Sequence, residues 1–331
     1  MISEIEDVLR EWGPHIEKEI EKAIPKDGIF GVNNVVWYHI GTGGKRIRPV
    51  LAVMTGKVLG CDINKVLPYA AACEVLHNWL LVHDDIEDGD THRRGKPTVW
   101  KEFGIDHAIN AGDYMSQKVY ELILRSRDIG VDETTTIKLL DEMIKTAIKT
   151  AEGQAMEFEL RKNNNPTEKE YLDMITHKTA YYLTAPMVGA AVISNSPQET
   201  IDKIREFGMK LGPAFQISDD LLDLTIGKGR EDIGSDICEG KRSMMVVHCA
   251  QNCSEEERKK LFNTLNKPRE QTTKEDVLWV KDLFEKHGSM DYSRELAEKY
   301  MKDSKDTVSD LPKELKKLLE NFAEYVIKRE R

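Results

Sequence analysis

The sequence is short of the features that mark most specialised protein classes. Its five cysteines (Cys61, Cys73, Cys238, Cys249 and Cys253) form no CxxC pair and no ladder of spacings, which excludes a zinc ribbon or a disulfide framework and suits reduced thiols. Cys249 and Cys253 stand four apart, which suits one helix face but falls short of a metal site. No stretch reaches the roughly 18 apolar residues of a membrane span. The opening segment, MISEIEDVLREWGPHIEKEIEKAI, is acidic and amphipathic, without the basic start and apolar block of a signal peptide. Nor is there surplus positive charge: 48 Lys and Arg face 58 Asp and Glu, a net charge of −10, which argues against non-specific binding of nucleic acid or anionic membrane. Sustained apolar alternation is missing, as is an Asn-Gly or Asp-Gly hairpin between β-branched runs. These absences leave a soluble, cytoplasmic, non-β protein as the expectation.

What is present is helical periodicity. With 40% hydrophobic and 32% charged residues over 331 positions, the chain can bury a sizeable core. Leu67, Ala71, Val75, Leu76 and Leu80 recur at helical spacing, as do Ile137, Leu140, Ile144, Ile148 and Ala151. KTAYYLTAPMVGAAVIS is apolar nearly all round and reads as a central buried helix. Breakers at 41–44, 88–97, 161–166, 195–198 and 225–236 separate the helical runs, and none is long enough for an interdomain linker. The expectation is one all-α domain over residues 1–331 with ten to fourteen helices, the charged stretches after about residue 254 forming solvated outer helices.

Within this frame LLVHDDIEDGDTHRRGKPTVW (80–100) crowds Asp84, Asp85, Glu87, Asp88 and Asp90 before Arg93, Arg94 and Lys96. Such crowding is repulsive unless something relieves it. Asp84 and Asp88 are i and i+4, on one side of a helix. GPAFQISDDLLDL repeats that relation with Asp219 and Asp223, with Asp220 between them and Gln216 three residues before Asp219. One such cluster is as well explained by a solvated helix end; two of identical spacing, each after an apolar helix, are not. Carboxylates without His or Cys suit Mg²⁺, which keeps waters and takes substrate phosphates as ligands. GTGGKRIRPV adds Lys45, Arg46 and Arg48 behind a glycine turn, although GxxxxGK[ST] is absent. Arginine forks beside Mg²⁺-binding acids describe a polyphosphate site.

GGKRIRP, DDIED followed by RRGKPT, GQAMEFE, HKTA, FQISDDLLD and SDICEGKRS together resemble the ordered signature of trans-isoprenyl diphosphate synthases, and in detail the archaeal short-chain type. The resemblance implies a helical bundle around a deep apolar cavity, usually a homodimer. It implies an allylic diphosphate (dimethylallyl, geranyl or farnesyl) held through Mg²⁺, three ions when substrate is bound and Mn²⁺ as a substitute. Asp84, Asp88 and Asp219 would be the ligands, with Asp85, Asp220 and Asp223 in support. Arg93, Lys178, Gln216 and Lys241 would touch the same diphosphate. Lys45, Arg48, His77 and Arg94 match the residues that bind isopentenyl diphosphate. His77 lies seven residues before Asp84, about the same face two turns away, where a core histidine is the alternative. His83 is assigned a structural place only. Lys178, Thr179 and the Gln216 amide would face the allyl cation, while apolar walls exclude water.

The expected reaction is ionisation of the allylic C–O bond, attack by the isopentenyl double bond and proton loss to the departed diphosphate. Counting back from Lys241 to the usual family lysine lands on Glu231, with Lys228 and Arg230 nearby; Ser243 replaces a common threonine. Product length is expected from the cavity floor. The resemblance points to Trp79, five residues before Asp84, although an ideal helix sets it about 140° round from that aspartate; Leu80 and Leu76 share the aspartate's face more nearly. A bulky Trp79 favours C20, with C15 or a mixture as the alternative. An HD-type phosphohydrolase would need an additional His-rich metal shell, and its pattern would leave GGKRIRP and FQISDDLLD unexplained. A terpene cyclase lacks the second DDxxD and the isopentenyl-binding cations, and a non-catalytic synthase subunit would have eroded aspartates.

Overall fold

The computed structural model describes residues 2–26, 31–225 and 233–327. Lys228, Arg230 and Glu231, the candidates for the displaced lysine, lie outside the described residues. The all-α expectation holds: the described residues contain sixteen α-helices and one pair of two-residue strands. Helices exceed the expected number because two of them are about one turn long, too short to show a period in sequence.

The chain folds into two compact units. The first comprises Met1–Ala147, Tyr182–Arg205 and Val308–Phe322. It holds α1 (Ile2–Ala23), α2 (Val32–Ile40), α3 (Ile47–Val58), α4 (Ile63–Glu87), β1 (His92–Arg93), β2 (Lys96–Pro97), α5 (Val99–Phe103) and α6 (Ile105–Leu124). The first half of α7 (Glu133–Lys162) also belongs to it, as does α9 (Tyr181–Ile193) apart from its first residue. Helix α4 packs chiefly on α6 and α3, with Val75, Leu76, Ala108, Ala111 and Met115 in the core. Asp62 caps α4 by accepting from the Asn64 amide at 3.0 Å, and Gly89 (φ 68°) turns the chain just past Asp88, so the helix ends at the aspartates. The apolar run expected to be a central helix is α9, and every residue from Leu183 to Ala191 in it is buried.

The second unit comprises Ile148–Tyr181, Glu206–Thr307 and Ala323–Arg331. It takes the end of α7, then α8 (Glu168–Ile175), a π-turn (Thr176–Ala180), most of α10 (Gln198–Thr225) and α11 (Ser235–Cys238). α12 (Met244–Asn252), α13 (Glu255–Leu265), α14 (Lys274–Lys286) and α15 (Ser289–Asp306) follow. α16 (Lys313–Ile327) has its last turn here. Capping boxes start α8 (Thr167 with Glu170), α13 (Ser254 with Glu257) and α14 (Thr273 with Asp276), which satisfies amide groups that a helix start leaves open. Leu224, Met245, Phe262 and Phe284 form one core, and Tyr171, Ile175, Ile217 and Val247 another.

Candidate active site

In the first unit Asp85 is fully buried: Arg93 Nε donates to its Oδ1 at 2.7 Å and Arg93 Nη2 forms an ion pair with the same oxygen at 2.5 Å, while Asp90 lies 3.6 Å from that guanidinium. Burial, aided by Asp90 and Asp84, lifts the Asp85 carboxyl to about 6 against the pull of Arg93. Asp84 is half-buried and Asp88 buried, one turn apart at the end of α4. Arg93 pairs with Lys96 across a two-residue loop, so Arg94 (φ 54°) and Gly95 (φ 75°) form a left-handed hairpin turn. An arginine in that conformation costs about 1 kcal/mol. The turn sets the Arg94 guanidinium against Gly44, where a Cβ would come within 2.7 Å of it, and 3.4 Å from Thr42 Oγ1. Gly44, the last glycine of GTGG, is thus the seat of an arginine.

Arg48 is buried, its guanidinium 4.1 Å above the Tyr182 ring, and its Nε has no hydrogen-bond partner among the described residues. The His77 ring stacks on the same tyrosine at 6.2 Å. Desolvation first, then Arg48, Arg94 and Arg93, hold His77 well below the usual imidazole range. His39, buried behind the glycine turn, is pushed down to about 3 by burial and then by Arg93 and Arg94. Two neutral imidazoles beside three guanidiniums make a pocket suited to an anion. Lys45 stands exposed at its edge. Leu76 is buried, whereas Trp79 and Leu80 are half-buried against the core.

In the second unit the π-turn is the organising element. Such turns occur frequently at functional sites. A Cβ on Gly153 of α7 would fall 2.2 Å from the Lys178 amide nitrogen, and one on Gly212 of α10 would fall 2.3 Å from the Ala180 Cβ, so two glycines let both helices close on the turn. Lys178 is thereby set 2.8 Å from Glu157. The buried Thr179 hydroxyl donates to Gln216 Oε1 at 2.7 Å, and Gln216 Nε2 donates to Asp220 at 2.9 Å. The buried Tyr171 hydroxyl donates to the other Asp220 oxygen at 2.7 Å. Asp223 accepts from the Ser235 hydroxyl at 2.7 Å and the Asp236 amide at 3.1 Å. Asp236 in turn lies 3.2 Å from Lys241 Nζ, which also pairs with Glu239. Asp219 is the half-buried member of its trio.

Of the residues proposed from sequence, the first unit gathers Arg48, His77, Asp84, Asp85, Asp88, Arg93 and Arg94. The second gathers Lys178, Thr179, Gln216, Asp219, Asp220, Asp223 and Lys241. Sequence reasoning missed Tyr182, Tyr171 and Ser235, which act at long range and carry no local signal. It also missed Arg242, which is buried beside Lys241 and donates to the Asn163 and Gly240 carbonyls and the Asn266 side chain. Glu157 was visible as part of GQAMEFE but was given no role.

Among the described residues no three His, Cys, Asp or Glu side chains converge to hold a metal ion.

A model of the polyprenyl synthetase family matches residues 31–283. The chain is 36% identical to a geranylgeranyl diphosphate synthase of Sulfolobus acidocaldarius, covering 88% of this chain and 89% of that one. It is 35% identical to a short chain isoprenyl diphosphate synthase of Methanocaldococcus jannaschii, covering 95% and 93%. The crystal structure of a geranylgeranyl pyrophosphate synthetase from Pyrococcus horikoshii superposes with a TM-score of 0.88 at 31% identity, covering 99% and 98%.

Proposed function

The chain belongs to the polyprenyl synthetase family, and from that premise we propose the division of labour among its residues and the length of its product. The protein is a prenyltransferase that makes a short-chain prenyl diphosphate. Its substrates are isopentenyl diphosphate and an allylic diphosphate, and its main product is the C20 geranylgeranyl diphosphate, with C15 as the alternative.

Asp84, Asp88 and Asp219 hold Mg²⁺, for which Mn²⁺ substitutes. When bound, the metal compensates the charge of the allylic diphosphate. Arg93, Lys178, Gln216 and Lys241 bind that diphosphate and stabilise it as it leaves. Lys45, Arg48, His77 and Arg94 bind isopentenyl diphosphate. Trp79, with Leu76 and Leu80, closes the cavity. The observation that supports this assignment is exposure: Asp84 and Asp219 are half-buried, whereas Asp85, Asp220 and Asp223 are buried. Asp85 is tied to Arg93, Asp220 to Tyr171 and Gln216, and Asp223 to Ser235 and the Asp236 amide.

We further read residues 1–331 as one domain and the protein as a cytoplasmic homodimer. Ile105 and Ile109 on α6 and Ile137 and Ile144 on α7 are 45–65% exposed at helical spacing, which supports a self-association face. All five cysteines are free thiols, as a reducing compartment requires. Among the described residues no helix is long and apolar enough to cross a membrane.

The testing experiment incubates purified protein with isopentenyl diphosphate, each allylic primer in turn and Mg²⁺. A C20 diphosphate is expected; a mainly C15 product would keep the chemistry and mean a shallower cavity. Absence of condensation with every primer would contradict the assignment.

A further inference from the structure

We propose that His83, docked in the gap that Gly112 leaves on α6, is the positioning residue that orients Trp79 and so fixes the length of the product. This rests on the reading of Trp79 as part of the cavity floor and adds the device that holds it there.

Trp79 and His83 lie one turn apart on α4, so their side chains meet on the helix surface. The indole N–H donates to His83 Nδ1 at 3.3 Å, and the rings stand edge to face at 85° with centroids 6.4 Å apart. The other ring nitrogen, Nε2, lies 3.4 Å from the Ile109 carbonyl and 3.8 Å from Asp113 Oδ1, both on α6. Accepting at Nδ1 and donating at Nε2 fixes one neutral tautomer. Both nitrogens are committed, so the imidazole is not a base for the reaction although it adjoins Asp84.

The ring reaches α6 because residue 112 has no side chain. A Cβ there would fall 2.0 Å from His83 Nε2 and 2.3 Å from Cδ2, inside the ring's own volume. Gly112 sits within a 20-residue helix, where alanine would serve helix formation better. Space for the imidazole is therefore what the glycine provides. An indole has two χ angles, and its single donor distinguishes the two ring orientations. With that donor anchored to α6 through His83, the face Trp79 presents is fixed; without the anchor the ring turns and the floor yields to a longer chain.

The test is the ratio of products longer by one or more isoprene units to the wild-type main product. This ratio is read only from molecules that fold and turn over. Trp79→Ala tests the floor itself and is expected to lengthen the product. His83→Leu and Gly112→Ala are each expected to raise the ratio about fivefold, the weight of one neutral hydrogen bond. His83→Asn keeps an acceptor for the indole and is expected to stay near wild type. Trp79→Phe removes the donor but keeps the bulk, and combining it with His83→Leu is expected to add nothing beyond either change alone. An unchanged product from Trp79→Ala would overturn the floor reading. Lengthening by Trp79→Ala without any shift in His83→Leu or Gly112→Ala would overturn the His83 proposal alone. A shift in His83→Asn as large as in His83→Leu would also overturn it, because bulk and not the hydrogen bond would then be at work.

Discussion

The aspartate clusters of the two units share one spacing and differ in the neighbours that reach them. In the first, a guanidinium ties Asp85, that of Arg93, while Arg48 and Arg94 rest on the neutral partners Tyr182 and Thr42. In the second, neutral donors reach Asp220 and Asp223: Tyr171, Gln216, Ser235 and a backbone amide. The lysines there are paired with carboxylates, Lys178 with Glu157 and Lys241 with Asp236 and Glu239. The difference teaches that one motif serves two charge environments. On the proposed assignment, guanidiniums set against neutral groups receive a bare anion, and lysines already paired with acids sit in a negative setting that favours a diphosphate arriving with its metal.

The largest effect expected from this contrast separates Asp219 from Asp223. Asp219→Ala removes the half-buried acid proposed as a metal ligand and is expected to lower kcat/KM by about 1000-fold or more, with a smaller fall in Tm than Asp223→Ala causes. Asp223→Ala strands the Ser235 hydroxyl and the Asp236 amide and is expected to cost about 2 kcal/mol of stability as well. Urea melts alongside kinetics decide it. Equal destabilisation by both changes would erase the distinction drawn between the buried and the half-buried acids.

A middle-sized effect contrasts geometry with charge. Gly153→Ala drives a methyl group into the Lys178 backbone and is expected to lower kcat by about 100-fold, since the π-turn carries Lys178 and Thr179. Arg48→Lys keeps the charge but loses the planar stack on Tyr182, and is expected to raise KM for isopentenyl diphosphate about tenfold with kcat little changed. If Arg48→Lys lowered kcat instead, the first unit would not be a simple anion pocket.

The smallest effect is in pH. His39 titrates near 3 in the fold and His77 well below the unfolded value of about 6.5. Below about 6.5 the unfolded chain therefore binds protons that the fold refuses, so stability is present above that pH and is lost as pH falls. Thermal melts of the metal-free protein between pH 7.5 and 5.5 are expected to show a falling Tm, with a flatter slope in His39→Gln. His248 in the second unit is also depressed by burial, but Glu168 opposes the shift, so His248→Gln is expected to change the slope less. The reverse ranking would contradict the part given to the guanidiniums.

The helices were legible because apolar residues recur at helical spacing, and the aspartates because carboxylates four residues apart share a helix face. The anchors were not legible. Tyr171 meets Asp220 across 49 positions, and Ser235 meets Asp223 across 12, so only the folded chain brings them together. The π-turn was hidden for a related reason: THKTA contains no breaker, and the close approach that accommodates the turn is allowed by Gly153 and Gly212 from other helices. The Arg94–Gly95 hairpin escaped because its first central residue is an arginine, held in the left-handed region by contacts with the glycine turn. Gln216 shows the same limit from the other side. Its place on the aspartate face was readable, but the engagement of both ends of its amide was not.

The contrast between the units is tested most directly by calorimetric titration of isopentenyl diphosphate and of a non-ionisable allylic thiolodiphosphate, each with Mg²⁺ and with the metal chelated. Isopentenyl diphosphate is expected to bind with an affinity that chelation changes by less than about threefold, while the allylic analogue loses at least about 100-fold. Loss of isopentenyl diphosphate binding on chelation, with the allylic analogue still bound, would contradict the division.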